Sequence, residues 1–284
     1  MVKKILFGNF KGGVGKTTNS VMTAYELAKK GYKTLVCDLD PQANSTQLLR
    51  KTYALQHGED MTVEKTMMVA IKEGDVEQQV KPVMDNLYLL PSFKDFKYYP
   101  DFLEQKFMPN EENYKEKRMA YFGELVHKFE DKFDYIIYDV PPTLSIFTDT
   151  ALFDSDYIVI VMQTQQRSLD GAIAFFEYLQ DFYDNHTSID FDVAGALPVL
   201  MKNRARIDTQ IIADAKDVFG SDAVFKNIIP HRERLQGYDR AGIQEKGMTE
   251  QWDFHDIRLH QLYRVLTEEI IERTGGSNNG NETK

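Results

Sequence analysis

Apolar and polar positions fall into two periods along this 284-residue chain, and the two periods alternate. Short apolar runs bounded by charges or turn residues predict strands at 3–8, 33–37, 87–90, 135–138, 158–162 and 193–199. Between them, apolar residues recur every three to four positions. That spacing predicts helices at 16–30, 62–71, 116–129, 169–182, 208–218 and 257–272. In the first helix Val21, Ala24, Leu27 and Ala28 share one face, and Gly31 supplies a stop. Strands alternating with helices imply an α/β fold, a doubly wound and mostly parallel sheet with helices on both faces. No internal repeat and no clear linker breaks the pattern, so one domain is expected over 1–273. The stretch 93–113, with Tyr98, Tyr99, Phe102 and Phe107, reads as an insertion. Local packing of a long loop accounts for those rings, and a partner surface is the alternative. The polar segment 274–284, rich in Gly and Asn, is expected to be disordered.

Composition narrows the class without naming it. A hydrophobic content of 42% with 27% charged residues is that of a soluble globular protein. No apolar run reaches the roughly 18–20 residues of a spanning helix. Strand one begins almost at once and leaves no room for a signal peptide, so a cytoplasmic location is expected. The single cysteine, Cys37, can form neither an internal disulfide nor a zinc or iron–sulfur site alone. The net charge of −10 argues against a protein that coats nucleic acid with its whole surface. Its distribution is uneven: residues 202–246 carry a net +2 and the remainder −12.

The candidate chemistry follows the first strand. Lys11, Gly12, Gly13, Val14, Gly15, Lys16, Thr17 and Thr18 form a glycine loop that leads into a helix. Glycines let the backbone curl so that successive N–H groups point at a phosphate chain, and the helix adds its positive end. Lys16 can reach the outer phosphates and the Thr17 hydroxyl can ligate Mg²⁺. The ordinary pattern has glycine where this chain has Phe10, and an additional cation, Lys11, follows it. The second strand ends in Asp38-Leu39-Asp40-Pro41, where carboxylates face whatever the loop binds; an Asp-Pro turn is the bland alternative. A third strand ends in Asp139 before Pro141-Pro142, the form of a strand whose acid holds Mg²⁺ through water.

These three segments together resemble the deviant-Walker-A ATPases of the ParA/MinD family, the ParA (Soj-like) partition proteins above all. Order and spacing extend the likeness from Lys4 to about residue 270, through Asn86–Ser92, Thr150-Ala151-Leu152, Ser168–Gly171 and Ile228–Arg232. The resemblance implies a weak Mg²⁺-dependent ATPase with ATP and Mg²⁺ as cofactors. Lys11 would reach the partner's ATP across a homodimer, while Lys16, Thr17 and the loop amides hold the nucleotide of their own chain. Asp40 would position the hydrolytic water, with Asp38 supporting the same region. Asp139 would bind Mg²⁺, and Asn203 with Pro230 would read adenine. It also implies nonspecific binding of double-stranded DNA, with Arg204, Arg206, Arg232, Arg234 and Arg240 as candidate phosphate contacts; pairing with neighbouring acids is the alternative for each. A centromere-binding adaptor would stimulate hydrolysis, and the location would be the nucleoid. The length is compatible with a ParA-like protein without an N-terminal DNA-reading domain, and the insertion together with the absence of an N-terminal extension makes a plasmid system the expectation. Phe10 departs from the family, where a polar residue is common.

Three other readings share the loop. A MinD-like membrane switch needs a basic amphipathic C-terminal helix. Here Leu259, Leu262, Tyr263, Leu266 and Ile270 form one face, but Glu268, Glu269 and Glu272 make the end acidic. The face is therefore expected to pack on the body, with no membrane partner. A metabolic ATP-dependent ligase would need a second polar constellation, and none is visible. An iron–sulfur electron-transfer ATPase is excluded by the single cysteine.

Overall fold

In the computed structural model of the chain, residues 1–201, 206–245 and 253–275 are described. The apolar runs form strands β1 (Lys3–Gly8), β2 (Thr34–Asp38), β3 (Lys81–Met84), β4 (Leu87–Leu90), β5 (Tyr135–Asp139), β6 (Tyr157–Gln163), β7 (Asp192–Met201) and β8 (Ile229–Pro230). Among the described residues they make one eight-stranded sheet in the order β3-β4-β2-β5-β1-β6-β7-β8. Every pairing is parallel except β3 with β4. The antiparallel strand sits at the edge and carries Pro82, which has no N–H to give to a central ladder.

The helices are α1 (Lys16–Lys29), α2 (Asn44–His57), α3 (Met67–Glu73), α4 (Tyr99–Lys106), α5 (Tyr114–Val126), α6 (Ile146–Phe153), α7 (Gln166–Asn185), α8 (Arg206–Phe219), α9 (Glu233–Ala241) and α10 (Phe254–Arg273). Alternating side chains of the strands feed two apolar cores, one on each face. Leu6, Ile136, Tyr138, Ile158 and Ile160 face the core closed by α3 to α8. Ile5, Phe7, Ile137, Val159 and Val161 face the core closed by α1, α2, α9 and α10. The strands are thus buried on both sides, which is why they read as continuous apolar runs. The doubly wound fold expected from the alternation is the one observed.

Several boundaries differ from the pattern, each for a local reason. The helix expected over 62–71 begins only at Met67, because the Thr66 side chain accepts from the Val69 N–H and caps it there. The stretch 93–113 is not one long loop. It holds a short 3₁₀ turn (Lys94–Tyr98) and α4, and buries Phe96, Tyr99 and Leu103 completely. Phe96 and Tyr99 lie 5.1 and 6.1 Å from the Phe147 ring of α6, so local packing accounts for most of its rings. Tyr98 remains 51% exposed. Thr274, grouped with the tail, is buried and donates its hydroxyl to the Ile270 carbonyl, which closes α10. Residues 276–284 lie outside the described residues.

As expected, α10 packs on the body. Leu259, Tyr263, Leu266 and Ile270 are buried, and the Tyr263 hydroxyl donates to Asn19 Oδ1 at 3.0 Å on α1. Among the described residues no helix is long and apolar enough to cross a membrane.

Candidate functional site

The parallel ladder brings the three motifs together at the C-terminal ends of β1, β2 and β5. Phe7 pairs with Asp139, and Asp38 pairs with Asp139 on the other side. The loop from β1 therefore emerges directly over two strand-end carboxylates, where open α/β sheets place their ligands.

Gly13 and Gly15 have φ of 71° and 92°, in the left-handed region that glycine enters without a steric penalty. Gly15 is the N-cap of α1 and supplies no side chain, so the first amides of that helix are left for an anion. Val14 is fully buried and anchors the loop in the core beneath α1. On the far side the Gln163 side chain donates to the Gly13 carbonyl at 2.7 Å. Gly12 faces the Pro142 ring.

Lys16 is 6% exposed; burial pulls its pKa down, and Asp139 and Asp40 pull it back. Thr17 Oγ1 donates to Asp139 Oδ1 at 3.2 Å, and the buried Ser45 hydroxyl donates to the other Asp139 oxygen. Asp38 is sealed from solvent. It accepts from the Thr46 amide at 2.8 Å, the Thr46 hydroxyl at 2.7 Å and the Asp40 amide at 3.1 Å. Burial raises the pKa of both Asp38 and Asp139; Asp38 is lifted further by Asp139, and Asp139 by Asp40. Asp40 also rises through burial, opposed by the Gln42 amide and Lys16. Its carboxylate borders the cavity, whereas Asp38 braces the turn from below.

A cavity of about 460 Å³ is lined by Gly13, Gly15, Lys16, Thr17, Thr18 and Asp40, closed by Asn44, Gln47, Leu48, Val140, Pro142 and Asp239. Lys11 is not among its lining residues. The Lys11 amide donates to Asn9 Oδ1 at 2.8 Å, and its ammonium lies 3.5 Å from Gln165 Oε1 at the exposed start of α7.

The remaining expected residues are less concentrated. Pro230 lines a separate cavity of about 830 Å³ with Met201, Thr209 and Asn227, which shares no lining residue with the first. Asn203 and Arg204 lie outside the described residues. Arg206, Arg232 and Arg240 are exposed. Arg234 is engaged, its guanidinium held by Asp256 at 2.5 Å and Asp253 at 2.9 Å. Sequence reasoning missed Ser45, Thr46, Gln163 and Asp239. For Ser45 and Thr46 a signal existed, hydroxyl residues just after the Asp40-Pro41 turn, where α2 begins.

Strand, glycine loop, uncapped helix and strand-end carboxylates define the phosphate site of a P-loop ATPase. Comparison with known proteins makes this specific. The family model AAA_31, described as an AAA domain, matches residues 2–192. The sporulation initiation inhibitor protein Soj of Bacillus subtilis is 31% identical over 237 residues, covering 83% of this chain and 87% of Soj. Among solved structures, an ATP complex of Cyanothece McdA matches with a TM-score of 0.75 at 19% identity, over 97% of both chains. A putative plasmid partition protein of Borrelia burgdorferi bound to AMPPNP matches with a TM-score of 0.70 at 21% identity, over 96% of this chain and 98% of that one. The chain belongs to this AAA domain family and is a ParA/Soj-like P-loop partition ATPase.

Proposed function

We propose that the chain partitions DNA, with a plasmid as its cargo, by forming an ATP-clamped homodimer that binds DNA without sequence preference. The observation that carries this reading is the position of Lys11: its ammonium stands outside the cavity of its own chain. A second copy facing the site would receive it. Each site is then complete only as a pair, and nucleotide binding and dimerisation become one linked equilibrium.

The residues present fit a magnesium nucleotide. Left-handed glycines and free α1 amides suit a phosphate chain, and Thr17 and Asp139 converge as oxygen ligands. Thr17 would hold Mg²⁺ directly and Asp139 through water. The metal supplies charge neutralisation at the phosphoryl oxygens. Lys16 neutralises the phosphates of its own chain, and Asp40 orients the attacking water. Asp38 keeps the Asp40 turn in place through the Asp40 amide. Asn203 and Pro230 would contact adenine. Such a site hydrolyses slowly until a centromere-bound adaptor stimulates it, and hydrolysis then releases the dimer from the nucleoid.

The exposed Arg206, Arg232 and Arg240, with Arg204, are the proposed phosphate contacts, whereas Arg234 is committed to Asp253 and Asp256. Backbone neutralisation of this kind is strongly salt-dependent. The test is binding to a nonspecific duplex with ATP, ADP or no nucleotide at two salt concentrations. Binding that needs ATP and weakens with salt supports the proposal. Absence of binding, or binding indifferent to nucleotide, contradicts it.

A further inference from the structure

Phe10, the residue that breaks the ordinary loop pattern, is also the one that joins the loop to α7. Its half-buried ring meets Phe175 edge-on, with centroids 4.9 Å apart at 80°, and Tyr178 at 5.3 Å and 64°. Phe175 and Tyr178 are one turn apart on α7 and share a face. Phe175 also covers Gly8, where an added Cβ would stand 2.3 Å from its ring. Tyr178 in turn donates its hydroxyl to Asp149 Oδ1 at 2.5 Å, on α6. That helix starts directly after the loop that leaves Asp139 and passes Pro141-Pro142. One aromatic face thus holds both chain segments that flank the phosphate site.

Next to the ring, Asn9 and Lys11 also lie against α7, where a Cβ added at Gly171 would stand 3.2 Å from Asn9 Oδ1 and 3.6 Å from Lys11 Cβ. Asn9 donates to the Val161 carbonyl at 2.7 Å and accepts from the Lys11 amide at 2.8 Å. The ammonium itself is loosely held, its one contact among the described residues being Gln165 at 3.5 Å. The result is an anchored base under a loosely held cation. A side chain whose base is already ordered loses less entropy when its tip engages a ligand.

We propose that Phe10 is a positioning residue: it locks residues 9–11 onto α7, so that Lys11 is aimed away from its own cavity before any nucleotide binds. A glycine or small residue at this position would leave the first half of the loop free to collapse toward its own phosphates. The consequence for turnover rests on the reading of Lys11 as a group that serves the partner's nucleotide; the ordering of residues 9–11 does not.

The test compares Phe10→Ala and Phe10→Leu with the parent chain, using Lys11→Ala as reference. In the nucleotide-free protein, Phe10→Ala should speed amide hydrogen exchange over residues 9–13 by about tenfold, with α1 unchanged. In ATP hydrolysis, KM for ATP should stay within about threefold while kcat falls about tenfold, because Lys16 and the helix amides still hold the nucleotide. Phe10→Leu, which keeps apolar contact with α7, should recover most of both. Unchanged exchange over 9–13 in Phe10→Ala overturns the proposal. So does exchange that rises evenly through β1 and α1 with KM and kcat worsening together, which marks a merely destabilised core. If Lys11→Ala turns over ATP normally, the two-chain reading of Lys11 fails, and the exchange result alone decides for or against Phe10.

Discussion

Replacing His260 with alanine should destabilise the chain in a pH-dependent way. His260 on α10 is 5% exposed and Glu26 on α1 is 1% exposed. His260 Nδ1 lies 2.5 Å from Glu26 Oε1, and Nε2 lies 2.9 Å from the Gln244 carbonyl. Both partners are acceptors, so both ring nitrogens must donate, and the ring that fits is the imidazolium. Burial works against that charge. The hydrogen bond and charge of Glu26, with the Gln244 carbonyl and Glu245 behind them, outweigh it and hold the pKa above its ordinary value.

Removing one member of a buried pair costs about 3–5 kcal/mol, because the other charge is left unpaired. Here Arg264 Nε remains 3.3 Å from the second Glu26 oxygen, which places the loss near the lower end, about 3 kcal/mol. For a domain of this size that is a drop of roughly 6–12 °C in Tm. The pH sign follows from the raised folded pKa. The pair's contribution is full below about pH 6.5 and is lost as pH rises through the folded value. Thermal unfolding of parent and His260→Ala at pH 6 and pH 9 should therefore show a wide gap that narrows in alkali. A gap of the same size at both pH values, or one below about 1 kcal/mol, refutes the charged clamp between α1 and α10.

Other outcomes follow from the same geometry. Asp40→Ala should retain ATP binding and dimerisation yet lose about 100-fold in turnover, as expected when a water-orienting carboxylate is removed; normal turnover in a steady-state phosphate-release assay removes Asp40 from catalysis. Gly8→Ala should cost about 1–3 kcal/mol in chemical denaturation, since its Cβ would overlap the buried Phe175 ring; an unchanged midpoint contradicts the close approach. Burial raises the pKa of Asp38 and Asp139, with the charge of Asp139 adding to the first and that of Asp40 to the second, so their contribution to stability without ligand falls as pH rises above about 4. Binding of Mg²⁺ with nucleotide favours the ionised forms and should release protons near pH 6, read as a calorimetric heat that varies with buffer ionisation enthalpy; a buffer-independent heat contradicts it.

What the sequence disclosed depended on how each feature is encoded. The central strands and the glycine loop were legible because both faces of the sheet are covered and because left-handed backbone calls for Gly13 and Gly15. Helix α2 was not, since its N-cap is Ala43 at a φ of 57° with no capping side chain, and its deep apolar contacts are confined to Leu48 and Leu49. Edge strand β3 is four residues long and carries a proline. In the site, the Asp38–Asp139 adjacency is a matter of strand register, which no local spacing contains. The contacts of Ser45, Gln163 and Asp239 likewise join segments distant in sequence. Phe10 stood out by its identity, but its purpose became visible only once α7 was packed against it.

The central claim is that each nucleotide site takes Lys16 from its own chain and Lys11 from the other. Mixing Lys11→Ala with Lys16→Ala tests it most directly. Each variant alone should be inactive in ATP hydrolysis. In the mixed dimer the site on the Lys11→Ala chain receives an intact Lys11 from its partner, so an equimolar mixture should recover about a quarter of the parent rate by random pairing. No recovery on mixing, with both variants folded and associating, contradicts the account.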